Sequence, residues 1–334
     1  MNGDTKKKGI LIRGVGGLFG VCPLPLTPGS SVLSCRARGI FRHEKITPLP
    51  GDTVVIQRDS DAPTKAGRRS TDAEYVLDEI LPRTNTLVRP PLANLTHLFL
   101  MIPSAHPAPD LLTADKLISI AEVNHIEPVV VISKHDLDPT ASESIRRIYA
   151  DAGFSTFVVS VGNPDSIQAL REYILSLPTK DHPVIAAFAG ASAAGKSTMM
   201  MQLFPGLSLK TGDVSRKTER GRQTTRHVEL FPFEAGEQIC LIADTPGFSL
   251  LDFTQFNFFD PAELPESFRE FRDHLGNCRY TKCSHTKEEG CAILEAIRAG
   301  KISRGRHKSF IAMYEDLKKT PDWKRRKEER NRHG

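Results

Sequence analysis

The run Gly190-Ala191-Ser192-Ala193-Ala194-Gly195-Lys196-Ser197-Thr198 has the spacing G-x-x-x-x-G-K-[ST], that of a loop whose backbone N–H groups wrap phosphate oxygens. Glycines let the backbone close on an anion, and a helix opening at Lys196 would add partial positive charge. In this reading Lys196 reaches the β- and γ-phosphates and the Ser197 hydroxyl ligates Mg²⁺. A second phosphate-side motif, Asp244-Thr245-Pro246-Gly247, follows the apolar run Ile239–Ala243. An Asp at a strand end can hold Mg²⁺ through water, and Gly247 can offer its N–H to a γ-phosphate. Between the two lies a polar, Thr-bearing run, Lys217–Arg226. Its position favours a switch loop in which Thr225 completes the Mg²⁺ shell. Lys196, Gln223, Thr225 and Asp244 are therefore the candidate catalytic residues.

The base is read from Ser133-Lys134-His135-Asp136, which follows the apolar run Val129–Ile132. It resembles the guanine-specificity motif Asn/Thr-Lys-x-Asp. Asp136 can accept two hydrogen bonds from guanine N1 and N2, whereas adenine would leave the carboxylate unpaired. The Lys134 stem can cover the base. Ser160-Val161 resembles the short Ser-Ala element behind it. Ser133 keeps a hydroxyl but lacks the amide of Asn, so weaker nucleotide affinity is expected.

Motif order is unusual. The base motifs at 133–136 and 160–161 precede the phosphate loop at 190–198, and the switch run and Asp244–Gly247 come last. Ordinary GTPases begin at the phosphate loop, so this order is a circular permutation. It attaches whatever follows directly to the last phosphate-sensing motif, a route from nucleotide state to domain movement.

Cys278-x4-Cys283-x-His285-x5-Cys291 brings three thiols and one imidazole within fourteen residues. Cys₃His is a common structural zinc set, and four protein ligands leave no open position for catalysis. The other cysteines, at 22, 35 and 240, are scattered. Without a secretory leader a disulfide framework is not expected.

These residues need a parallel sheet to position them. Leu95–Ile102, Pro128–Ile132, Phe154–Ser160, Val184–Ala189 and Ile239–Ala243 are compact apolar runs. They alternate with helical patterns over 111–124, 140–151, 164–177 and 196–204, as in a sheet with helices on both faces. Residues 1 to about 90 carry only short apolar runs broken by Gly, Pro and Asp, which points to a small barrel. In that reading the glycine-rich Gly9–Val21 is a barrel strand; Arg13 and five glycines argue against a signal peptide. After Leu251 the chain becomes polar, aromatic and Cys/His-bearing, then helical. The expected units are 1–90, a barrel; 91–252, a permuted nucleotide-hydrolase domain; and 253–334, a zinc-binding, mostly helical domain.

The 334 residues carry 45 Lys+Arg against 40 Asp+Glu, a net charge of +5. This permits nucleic-acid binding without demanding it. Arg36, Arg38, Phe41, Arg42 and Lys45 on the barrel are compatible with RNA contact. The tail Lys318–Gly334, with eight Lys/Arg against three Asp/Glu, reads as a solvated helix end. No apolar stretch approaches the roughly 18–20 residues that span a bilayer.

Taken together, the barrel, the permuted motifs and the Cys-x4-Cys-x-His-x5-Cys knot resemble the RsgA (YjeQ) family of small ribosomal subunit biogenesis GTPases. The resemblance extends to Cys35–Gly39, Thr47-Pro-Leu-Pro-Gly51-Asp52, Arg220–Thr225 and Asp244–Phe248. It implies an OB-fold barrel, GTP hydrolysis, one zinc, and binding to the small subunit and its rRNA late in maturation. It further implies GTPase activity stimulated by the subunit. The cysteine usage points to a cytoplasmic, reducing environment; no membrane association is expected, and a monomer is. Ser133, Gln223 (where many members have His) and Ala193-Ala194 (for the more usual Gly-Val) depart from the pattern. Two other readings are an ATP-using phosphotransferase with the same phosphate loop and a nucleotide-gated RNA-binding module with little hydrolysis. The latter is kept open by Phe248, which stands where many GTPases place a water-orienting Gln.

Overall fold

The five apolar runs that alternate with helical patterns form, with one further strand, a six-stranded sheet. Its strands are β8 (His97–Pro103), β9 (Glu127–Ser133), β10 (Ser155–Val158), β11 (Val184–Gly190), β12 (Glu229–Ala235) and β13 (Gln238–Asp244). Their order is β10-β9-β8-β11-β13-β12, parallel except for β12. The computed structural model describes residues 6–39, 41, 46–58, 73–88, 91–177, 183–205, 228–235, 237–244 and 261–319.

Each central strand is buried on both faces, so its apolar run is continuous rather than alternating. Leu98, Leu100, Ile132, Ala187 and Leu241 face one core, with α1 (Leu111–Val123) and α2 (Pro139–Asp151). Phe99, Val131, Phe188 and Ile242 face the other, with α3 (Pro164–Ser176) and α4 (Lys196–Leu203). Asp110, Asp138 and Asn163 cap α1, α2 and α3 by accepting from Thr113, Ala141 and Ser166 N–H, and Pro139 and Pro164 suit the first turns. The exception is α4, which Gly195 opens with no side-chain cap. Its first N–H groups are thereby left for an external anion.

At the N-terminal end, β1 (Lys7–Val15), β2 (Leu18–Pro23), β3 (Leu33–Ala37), β4 (Thr53–Arg58) and β5 (Tyr75–Ile80) close a barrel in the order β1-β2-β3-β5-β4. Gly9–Val21 is thus two strands rather than one: Gly16-Gly17 turns the chain and β2 returns antiparallel on β1. The barrel core comprises Leu11, Val21, Cys35, Phe41, Val54, Ile56 and Leu77. Phe41 is therefore a core residue and offers no ring for stacking, which corrects its reading as an RNA contact. Of its basic companions, Arg38 pairs with Asp78 at 2.6 Å, and Arg42 and Lys45 lie outside the described residues.

Ile10 and Ile12 point away from the barrel core and join the sheet's first core, with Leu87 on β6 (Thr86–Val88) and Leu92 on β7 (Pro91–Ala93). This joint is also hydrogen-bonded. Buried Asp52 accepts two bonds from Arg83 and one from Leu49 N–H, and Gly51 O accepts from Asn94 Nδ2 at 2.9 Å. Gly51 sits at φ +93, where a Cβ would lie 1.9 Å from Ala93 O, so only glycine fits. The Thr47–Asp52 motif thus joins the barrel to the following segment.

C-terminal to the sheet lie two 3₁₀ segments, Leu264–Ser267 and Arg269–His274, then α5 (Ala292–Arg298) and α6 (Arg304–Lys319). This unit packs on α1 through Phe268, Phe271, Phe310 and Met313. Arg306 is fully buried between Asp115 of α1 (2.6 Å) and Glu270 (2.7 Å). Its guanidinium lies 4.6 Å from the Phe268 ring centroid. Arg269 bridges Glu122 and Glu127, and Arg272 also reaches Glu122. No helix of the described residues is long and apolar enough to cross a membrane.

Candidate functional site

The phosphate-loop segment leaves β11 at Gly190, where a Cβ would lie 2.5 Å from Met101 O on β8. Close strand packing therefore requires glycine there. Ala193 then turns at φ +62 and Gly195 at φ +92 before α4 begins. Left-handed backbone costs a non-glycine residue roughly 1–2 kcal/mol, so Ala193 holds a conformation that the more usual Gly would take without strain. Lys196 Nζ donates to Gly190 O and Ala191 O, both at 2.8 Å. Its stem folds back over the loop, and burial pushes its pKa down. Ser192, Ser197 and Thr198 are exposed.

The base motif lies at the end of β9, beside this loop. Ser133 is buried and its Oγ donates to Ala194 O at 2.8 Å, linking base motif to phosphate loop directly. The hydroxyl that Ser133 keeps therefore makes this link across to the loop. Lys134 turns at φ +61. Its carbonyl accepts from Ser104 Oγ at 2.6 Å, and its ammonium donates to His106 O. Asp136 is exposed and accepts from Ser160 Oγ at 2.6 Å. That hydroxyl holds the Asp136 carboxyl below its ordinary range, so it stays ionised as an acceptor. His135 N–H donates to Val159 O, and Val161 O accepts from Gln202 Nε2 of α4. Sequence reasoning missed Ser104 and His106, since serine and histidine after a strand carry no distinctive spacing.

Asp244 ends β13, with Glu229 as its cross-strand partner. Gln223, Thr225 and Gly247, with Arg220, Arg222 and Phe248, lie outside the described residues.

Away from the nucleotide motifs, Cys278, Cys283, His285 and Cys291 bring their ligand atoms within 4.8 Å of one another. Cys278 Sγ lies 3.5 Å from His285 Nδ1 and 4.0 Å from Cys291 Sγ; Cys291 Sγ lies 3.6 Å from His285 Nδ1. Bonds of about 2.3 Å for sulfur and 2.0–2.1 Å for nitrogen give tetrahedral edges of about 3.5–3.8 Å, so these four can hold one metal ion. Burial pushes the Cys283 thiol up to about 12, and a cation would reverse that by stabilising thiolates. The loop is fixed from behind. His307 Nε2 lies 2.7 Å from His285 O, and the Glu288 carboxylate accepts from Ser284, Thr286 and Lys287 N–H.

Comparison with known proteins places this geometry. The RsgA N-terminal domain model matches residues 8–64 and the RsgA GTPase model residues 80–254. The small ribosomal subunit biogenesis GTPase RsgA of Ruminiclostridium cellulolyticum is 34% identical over 97% of this chain and 98% of its own. That of Bacillus pumilus is 38% identical over 93% and 97%. Among solved structures, YjeQ from Thermotoga maritima superposes with a TM-score of 0.76 at 27% identity, covering 95% of this chain and all of that one. YloQ, described as a circularly permuted GTPase, gives 0.73 at 28% identity, covering 96% and 99%.

Proposed function

The chain belongs to the RsgA GTPase family and is a GTP-hydrolysing enzyme, and we propose that it acts late in maturation of the small ribosomal subunit. In this reading it binds rRNA and uses its Mg-GTP state to control docking and release, as a monomer in the cytoplasm. The observation that carries the nucleotide assignment is the pair of hydrogen bonds Ser133 Oγ to Ala194 O and Ser160 Oγ to Asp136. The first ties Ser133 to the phosphate loop, and the second joins Asp136 to the Ser160-Val161 segment.

The proposed nucleotide site comprises Ser133–Asp136, Ser160-Val161, Gly190–Thr198 and Gly247. Lys196 exchanges its two loop carbonyls for β- and γ-phosphate oxygens, and the uncapped start of α4 adds N–H donors. Ser197, Thr225 and Asp244 would hold magnesium, which would supply positive charge to offset that of the phosphates. Water attacks the γ-phosphorus as the bond to the β–γ bridging oxygen breaks, leaving GDP and phosphate. Phe248 cannot orient that water, and Gln223 or the Arg220/Arg222 pair is the group we assign to it, once the subunit orders their loop.

Phosphate release from GTP and from ATP, each with and without purified small subunits, tests both parts. The expected result is GTP-selective release, slow for the isolated chain and faster with subunits. Equal use of ATP would sink the base assignment; GTP selectivity without stimulation would sink the ribosomal partner.

We also assign the Cys278–Cys283–His285–Cys291 site to one structural zinc, because three thiols and an imidazole at these separations match zinc chemistry. Purified chain should carry about one zinc, and Cys283→Ser should lose it. Residues 278–291 should then become sensitive to protease while α6 remains docked through Arg306. Full zinc content in Cys283→Ser would overturn the assignment.

A further inference from the structure

The barrel grips β12, the edge strand of the nucleotide-binding sheet, at both of its ends. Arg13 of β1 donates through Nη1 to Glu229 Oε1 at 3.1 Å. Gly29 N–H, in the loop between β2 and β3, donates to Glu234 Oε1 at 3.0 Å. Three features build the first contact. The β1–β2 register breaks between Leu11 and Arg13, as at a bulge, and bulges re-aim side chains. Arg13 lies opposite Gly20, where a Cβ would come within 3.0 Å of Arg13 Cγ and 3.1 Å of its Nε. Glycine at position 20 leaves the guanidinium stem room across β2, where a Cβ would press on it. The acceptor, Glu229, opens β12 and is the cross-strand partner of Asp244.

We propose that Arg13 is a positioning residue for GTP hydrolysis, acting through Glu229 to fix the strand end opposite Asp244. This contact holds the strand end paired with Asp244, and β12 follows directly in the chain on the run that carries Gln223 and Thr225. This rests on the reading of Asp244 as the magnesium-side residue.

The test uses the full chain, with kcat and KM for GTP measured for Arg13→Ala, Glu229→Ala and the swapped pair Arg13→Glu/Glu229→Arg. The side chains are 55% and 26% exposed, and such a pair has moderate strength. Each single replacement should therefore lower kcat about two- to fivefold and leave KM unchanged. The swapped pair should return kcat to the wild-type value, and denaturant midpoints of all three variants should stay at the wild-type value, which separates positioning from a general loss of stability. Unchanged kcat in both single variants overturns the proposal, and so does a loss that the swap fails to restore. Asp244→Asn, run in parallel, separates the two readings: wild-type turnover there removes the magnesium assignment whatever Arg13 does. The readout is turnover of the isolated chain, so it stands whether or not small subunits stimulate hydrolysis.

Discussion

Asp136→Asn should lower GTP affinity by at least about a hundredfold and bring xanthine nucleotides to comparable or better binding. The carboxylate is placed for this. Ser160 Oγ donates to one oxygen at 2.6 Å and holds the group ionised, leaving acceptor lone pairs for the N1 and N2 hydrogens of guanine. An Asn amide turns one acceptor into a donor and meets donor with donor. Xanthine carries a carbonyl at position 2, so the same amide then finds an acceptor. Ser160→Ala should weaken GTP binding several-fold without changing base preference, because it frees the carboxylate but keeps its charge. Titration with fluorescent guanine and xanthine nucleotides measures both. GTP binding by Asp136→Asn at wild-type strength would remove Asp136 from the base site.

The second large effect is on stability. Arg306→Ala should destabilise the chain by roughly 3–5 kcal/mol, a large part of the 5–15 kcal/mol typical of a folded domain. The guanidinium is sealed between Asp115 and Glu270, donates one bond to the first and two to the second, and faces the rings of Tyr149, Phe154 and Phe268. Removing it leaves two buried carboxylates without their counter-charge and opens a cavity. Arg306→Lys should recover only part of the loss, since an ammonium cannot span both carboxylates with the fork geometry of arginine. Replacing Asp115, Glu270 and Arg306 together by apolar residues of similar size should restore most of it. Denaturant midpoints of the three variants separate these cases; a loss below about 1 kcal/mol in Arg306→Ala would show that the network is dispensable.

This network bears on how nucleotide state moves the molecule. Permuted motif order suggests that the C-terminal unit follows the last phosphate-sensing motif. In the folded chain that unit is tied to α1 and β9 by Arg306, Arg269 and Arg272. A movement that freed it would have to break buried ion pairs, whereas the barrel contacts on β12 are half-exposed and weaker.

Much of this protein is legible in its sequence because the physics there is local. The phosphate loop shows because glycine spacing, a lysine and a following helix are consecutive in the chain. The metal site shows because four ligands fall within one short loop. The parallel strands show because burial on both faces makes each run wholly apolar, as in Val184–Gly190. The family follows from the order of these local signals. What the sequence could not determine depends on residues far apart in the chain. Glu229–Ala235 gave no strand signal of its own, because it is an edge strand holding Pro232 and is paired on one side only. Phe41 beside basic residues looked like a surface aromatic, and barrel closure put it inside. Ser133 showed only as a departure from Asn or Thr in the base motif; folding brought its hydroxyl to Ala194, sixty-one residues away. Arg306 looked like one basic residue among many; only the packing of α6 on α1 set it between two carboxylates. Residue type and spacing decided which chemistry is present. Tertiary structure decided which groups support it, because burial and hydrogen-bond partners are set by contacts that no local pattern encodes.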